Sequence, residues 1–171
     1  MPTSYSSKVT ETMPGADVAA VPAYVSRVHV RRLGGLDKAV QLPAQSGETI
    51  MGGHSEVAEH YGVVDREPRP ATLDYLVGAT AACLAGTFAT ALRARGIELG
   101  LDDYEVDAAG ELFNRSGVLV VDRIVVTHKV RLEDAKQRET AERVLGFYDQ
   151  GCAVSQSLRG AIEIESRLEF A

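Results

Sequence analysis

From Leu76 to Leu92 no residue of this chain is charged, and Gly, Ala and Thr fill the intervals between the larger apolar side chains. The signals around this stretch predict a helix from about Thr72 to Arg95. Pro70 breaks the chain ahead of it, and Thr72 is placed to cap it. Asp74 suits the positive end of the helix dipole, Arg93 and Arg95 suit the negative end, and Gly96 is a C-terminal stop. A helix with no polar face has to be buried, so this one is expected at the centre of the fold with the rest of the chain built around it.

What surrounds it reads mainly as strands. Val25 to Arg32, Lys38 to Leu42 and Glu48 to Met51 are predicted strands, the first two joined by Gly34-Gly35-Leu36-Asp37. The polar, Gly- and Pro-broken stretch 52–69 is expected to be a long connection. After the helix, strands are predicted at Tyr104 to Phe113 and at the β-branched run Val118 to Leu132, around the turn Asn114-Arg115-Ser116-Gly117. Glu133 to Gln150 reads as an amphipathic helix burying Ala141, Val144, Leu145 and Tyr148. A short helical turn at Ser155 to Leu158 and a last strand from Ala161 to Phe170 complete the order. Without strict strand–helix alternation the class is α+β. Residues 1–23, rich in Ser, Thr, Pro and Ala, are expected to form a mobile arm, and 24–171 a single domain.

With 18 Lys+Arg against 24 Asp+Glu, the net charge is −6, which argues against a nucleic-acid partner. No apolar run approaches the roughly 20 residues of a membrane span, and the first residues lack a signal-peptide pattern. A cytoplasmic protein with no membrane partner is therefore expected. The chain has only two cysteines, Cys83 and Cys152, too few for a disulfide scaffold. Neither a C-x-x-C pair nor a Cys/His cluster of zinc spacing occurs, so no metal and no other cofactor is expected. Cys83 shares its helix face with Ala79, Thr80, Gly86 and Thr87, which leave room beside the sulfur. No cation lies within one turn of it to lower its pKa. Cys152, at a helix break after Gly151, is expected to be the more accessible of the two. From these residues alone, buried small hydrophobes and reactive thiols both stand as readings.

Two motifs carry a resemblance. One is Pro70 followed by an apolar helix ending in Ala81-Ala82-Cys83. The other is Cys152-Ala153-Val154-Ser155-Gln156-Ser157-Leu158. In that order and separation they resemble the OsmC/Ohr family of thiol peroxidases (osmotically inducible and organic-hydroperoxide-resistance proteins), over roughly Tyr24 to Phe170. The resemblance implies an OsmC-like α+β fold, with antiparallel sheets around a buried central helix, in an intertwined homodimer. It further implies that Cys83 is the peroxidatic thiol and Cys152 the resolving one, with a small-molecule hydroperoxide as oxidant. The reductant would be a dithiol of lipoyl or thioredoxin type, and the role defence against oxidative stress.

The chain departs from the family pattern at two places. Leu73 stands ten residues before Cys83, where the best-known branch has a catalytic Glu, and Leu36 stands in the turn that carries that branch's Arg. Asp74, nine residues before Cys83, falls on the opposite face of a straight helix and is expected to serve the helix N-terminus. Arg31, Arg32, Arg66 and Arg69 are the candidate replacement cations. His54 and His60 are candidate proton donors at the edge of the pocket, and together with Glu56 and Glu59 a candidate metal cluster. His29 and His128 fall in strands and are expected to be structural or exposed. The leading expectation is a peroxidase. The alternatives are a non-catalytic module that binds an apolar small molecule on the same fold, and a structural dimer with inert thiols.

Overall fold

The structure, a computed structural model, describes residues 22–63 and 67–171. The expected arm lies almost wholly outside the described residues, and so does Arg66.

Two three-stranded sheets flank the long helix in sequence. β1 (His29–Gly34), β2 (Asp37–Gln41) and β3 (Thr49–Met51) form an antiparallel meander. The chain between it and the long helix is not a featureless connection, because α1 (Ser55–His60) occupies part of it and buries Ala58. A helix of one and a half turns is too short to show a period in sequence, which is why the stretch reads as loop. The meander is tied to the start of the long helix by backbone. Gly52 N–H donates to Pro70 O at 2.8 Å and Arg69 N–H to Gly53 O at 3.1 Å.

The long helix, α2, runs from Thr72 to Arg93. Asp74 meets the expected role: its carboxylate accepts the Ala71 N–H at 2.6 Å, closing the first turn. β4 (Tyr104–Arg115) and β5 (Val118–Val130) follow as a long antiparallel hairpin. Ser116 and Gly117 both take positive φ, at 53° and 88°, as a two-residue hairpin turn of this hand requires. Asn114 Oδ1 accepts the Gly117 N–H at 2.8 Å. The expected amphipathic helix is shorter than its sequence pattern. α3 (Ala135–Leu145) stops at Gly146, a 3-10 turn covers Tyr148–Gly151, and α4 (Ala153–Leu158) comes next.

The last strand, β6 (Glu163–Phe170), corrects the expectation of antiparallel sheets, because it pairs with β5 in parallel register, Arg123 opposite Glu163 through Val130 opposite Phe170. Alternation along a strand says which face a side chain takes and nothing about strand direction. Here α3 and α4 form the crossover that a parallel pair needs.

α2 lies on the inner face of this second sheet. Thr80, Leu84, Phe88 and Leu92, four residues apart, are fully buried, and the last three share one core cluster with Val121, Ile124, Val126 and Val130 of β5 and Ala141 and Val144 of α3. At Gly110 of β4 the backbone comes so close that a Cβ would sit 2.5 Å from Val77 Cγ2. The expectation of a helix buried on every side is not met within one chain. Gly78, Ala79, Ala82, Gly86 and Thr90 are exposed along the opposite face, because the chain supplies only one covering sheet. α2 also corrects the statement that no apolar run approaches a membrane span. By length and composition alone it qualifies, with a mean hydropathy of 1.5 over its best window.

Candidate active site

The crossover that makes β6 parallel also folds the second cysteine motif against the middle of α2. Cys152 Sγ comes to 2.9 Å from Cys83 Sγ, both thiols free. Cys152 is the N-cap of α4. Its sulfur accepts the Ser155 N–H at 3.4 Å while its thiol donates to Cys83. The expected order of accessibility is reversed, since Cys152 is fully buried and Cys83 half-buried. The turn that ends in Cys152 packs inward on α2, which sequence spacing does not reveal.

The two thiols are driven apart electrostatically. Burial raises the Cys83 thiol, but hydrogen bonds from the Cys152 thiol and from the Val154 and Ala153 amides outweigh it, and the group is held below its ordinary value. The Thr87 hydroxyl donates to the Cys83 carbonyl at 2.8 Å, shaping the same helix turn. Burial, followed by the hydrogen bond shared with Cys83, pushes the Cys152 thiol up. The arrangement therefore lowers one thiol and raises its neighbour, with no cation among the causes.

An open cavity of about 860 Å³ lies over Cys83, lined by Thr87, Thr90, Phe147, Tyr148 and Gln150 among others, none of them charged. The Arg95 guanidinium covers the Phe147 ring at 5.0 Å and donates to Ala91 O. None of the described candidate activators lines this cavity. Arg31 is paired with Glu48 at 2.8 Å, and Arg32 lies exposed on β1 opposite Lys38. Arg69 lies between Glu67, at 2.7 Å, and Asp37, at 3.6 Å. His54 Nε2 meets Asp74 Oδ2 at 2.8 Å, at the start of α2 and about 13 Å along the helix from Cys83. His60 meets the Gly117 carbonyl at 3.0 Å, and His29 is exposed at the start of β1. His54 and His60 thus have separate partners, and no group of three His, Cys, Asp or Glu able to hold a metal forms among the described residues.

Sequence reasoning missed what stands behind the thiols. His128, fully buried on β5, lies 2.6 Å from the Tyr104 hydroxyl through Nδ1 and 2.7 Å from the Tyr148 hydroxyl through Nε2. Tyr148 also meets Ser166 Oγ at 2.7 Å, and the Tyr104 hydroxyl reaches Ala85 O at 3.3 Å. Burial pushes His128 down to about 4 and Tyr148 up to about 12. The inward parity of His128 with Ile124, Val126 and Val130 was the available signal.

A protein-family model described as OsmC-like protein matches residues 65–167, more than half of the chain. The chain belongs to the OsmC family. The fold agrees over most of its length with solved OsmC-family structures. The organic hydroperoxide resistance protein OhrB of Bacillus subtilis superposes with a TM-score of 0.64 at 17% identity, over 85% of this chain and 98% of that one. An OsmC-like protein from Mycoplasma pneumoniae gives 0.66 at 11% identity, over 88% and 99%. An organic hydroperoxide resistance protein OsmC from Legionella pneumophila gives 0.65 at 11%, over 87% and 99%. At these identities the likeness establishes the α+β OsmC fold. No curated protein sequence matches the chain. In this OsmC chain both cysteine motifs fall within the matched region.

Proposed function

We propose that this OsmC protein is a thiol-dependent peroxidase that reduces organic hydroperoxides through Cys83 and Cys152, in defence against oxidative stress. The observation that carries the reading is the 2.9 Å approach of the two sulfurs, one thiol lowered and the other raised. The Cys83 thiolate attacks the outer peroxide oxygen, and the O–O bond breaks. The leaving alkoxide takes a proton to become an alcohol, and Cys83 is left as a sulfenic acid. The Cys152 sulfur then attacks the sulfenic sulfur. Its proton leaves with the hydroxyl as water, and a disulfide forms after a movement of about 1 Å. A dithiol of lipoyl or thioredoxin type restores both thiols by exchange. The uncharged walls of the cavity suit an apolar organic group on the peroxide. Mass spectrometry after one equivalent of cumene hydroperoxide is expected to find Cys83 and Cys152 joined, two hydrogens lighter. Two free thiols and unconsumed peroxide would refute the reading. The same uncharged lining favours the second reading, a module that binds an apolar molecule without turnover.

The working unit in this proposal is an intertwined homodimer in the cytoplasm, where free thiols persist. Two features support the dimer. The small-residue face of α2 is open, and Val28, Val30 and Leu33 on or beside β1 are each about half exposed. Light scattering on the eluting protein is expected to give twice the chain mass, and Val30→Asp to shift it toward the single chain. A monomeric wild type at micromolar concentration would count against the assembly.

A further inference from the structure

The turn that delivers Cys152 is held by a chain of polar side chains, two of them buried and two partly buried. Its members come from four separate elements: Tyr104 from β4, His128 from β5, Tyr148 from the 3-10 turn and Ser166 from β6. The Tyr104 hydroxyl donates to Ala85 O, two residues beyond Cys83 on α2. Tyr104 oxygen is then free to accept from His128 Nδ1–H, and Nε2 accepts from the Tyr148 hydroxyl. Tyr148 oxygen in turn accepts from Ser166. In this direction every hydroxyl and ring N–H has an acceptor, as buried groups require, and the neutral imidazole it needs is the form that burial favours.

Tyr148 opens the turn that ends at Cys152, and Cys152 N–H closes that turn on Asp149 O at 3.0 Å. The Tyr148 ring stands edge-on to Phe88 of α2, with centroids 5.2 Å apart. Tyr148 and Gly151 both line the cavity over Cys83. A single 3-10 turn thus has its first residue fixed to the sheet and leads directly into Cys152, in contact with the Cys83 sulfur.

We propose that Tyr104, His128, Tyr148 and Ser166 act as positioning residues for the thiol pair, holding the Tyr148–Cys152 turn so that Cys152 Sγ and the first amides of α4 face the sulfur of Cys83. The inference rests on the reading of Cys83 as the attacking thiol. Its chemical content is that hydrogen-bond donors stabilise a thiolate only when they are held in place, and a swing of the turn by 1 Å weakens all of them together.

The test is the pH dependence of Cys83 alkylation by iodoacetamide in the reduced protein, followed by mass spectrometry. The rate of Cys83–Cys152 disulfide formation with diamide is measured beside it. Tyr148→Phe removes one hydroxyl and keeps the ring on Phe88. It is expected to shift the Cys83 midpoint up by about one pH unit, slowing alkylation near neutral pH about tenfold. Diamide closure is expected to slow as well. His128→Leu should do the same, and His128→Gln, which keeps a donor and an acceptor, should recover part of the loss. Variants that fold, lose stability and keep the wild-type profile and closure rate would overturn the inference, because a merely structural network predicts that result. If His128→Leu does not fold, Tyr148→Phe and Ser166→Ala decide by the same readouts. Neither readout uses a hydroperoxide, so a protein inert toward peroxide refutes the proposed reaction and still answers this question.

Discussion

Cys83→Ser is expected to lower hydroperoxide consumption by on the order of a thousandfold or more, because the attacking nucleophile is replaced outright. Cys152→Ser is expected to fail differently. Serine is a good N-cap and still presents a hydroxyl to Cys83, so α4 and the lowered Cys83 thiol should survive. That variant should consume one equivalent of peroxide and stop at a Cys83 sulfenic acid, trapped as its dimedone adduct. Cys152→Ala removes the donor too, and its first step should be slower than that of Cys152→Ser. The comparison separates the two contributions of Cys152, one before and one after the O–O bond breaks. Equal peroxide consumption by Cys83→Ser and wild type would end the peroxidase reading. Equal first-step rates in Cys152→Ser and Cys152→Ala would show that the 2.9 Å contact does nothing for the thiolate.

The second large effect is on stability in acid. His128 titrates at about 4 in the folded chain, against 6.5 for an ordinary histidine, and burial is the cause. Below pH 6.5 the unfolded chain takes up a proton that the folded chain refuses, so acid favours unfolding. The contribution is fully present above pH 6.5. It declines through the interval down to about pH 4, by about 3 kcal/mol in all. Urea unfolding from pH 7.5 to 4.5 should show this slope in the wild type. His128→Gln should remove it while leaving the slope that belongs to carboxylates. Parallel curves for the two proteins would refute the assignment. In the folded chain the imidazole stays neutral until the pH falls to about 4, so the hydrogen bonds that hold the Tyr148 turn, and Cys83 reactivity with them, should fail only around that value.

Much of the architecture is legible in the residues because it is local. The ends of α2 follow from Pro70, Asp74 and Arg93, and the β4–β5 hairpin from two alternating runs around Ser116-Gly117. The cysteine motifs are legible too, because Ala-Ala-Cys in an apolar helix and Cys-x-x-Ser-x-Ser are contiguous strings. What was not legible depends on distant partners. α1 is too short to display a period. The parallel direction of β6 is decided by the α3–α4 crossover, whose path no residue of β6 encodes. The exposed stripe of α2 looks like core in sequence because Gly and Ala serve a buried face and an exposed face equally well.

The site divides along the same line. Cys83 and Cys152 stand out as candidates from their neighbours in the chain, and Leu36 and Leu73 from their places in the motif strings. Which thiol is more accessible, and the hydrogen bonds from a thiol and two amides that lower Cys83, emerge only when α4 is folded onto α2. His128 shows the difference most plainly. As one residue in a strand it reads as structural or exposed, and folding makes it structural by joining it to two tyrosines that lie 24 positions before it and 20 after. Sequence alone determined most of the elements and marked the two cysteines as candidates, because propensity, capping and motif strings are properties of neighbouring residues. Tertiary structure alone decided their pairing, their burial and the direction in which each thiol shifts, because hydrogen bonds and desolvation act between groups that only folding brings together.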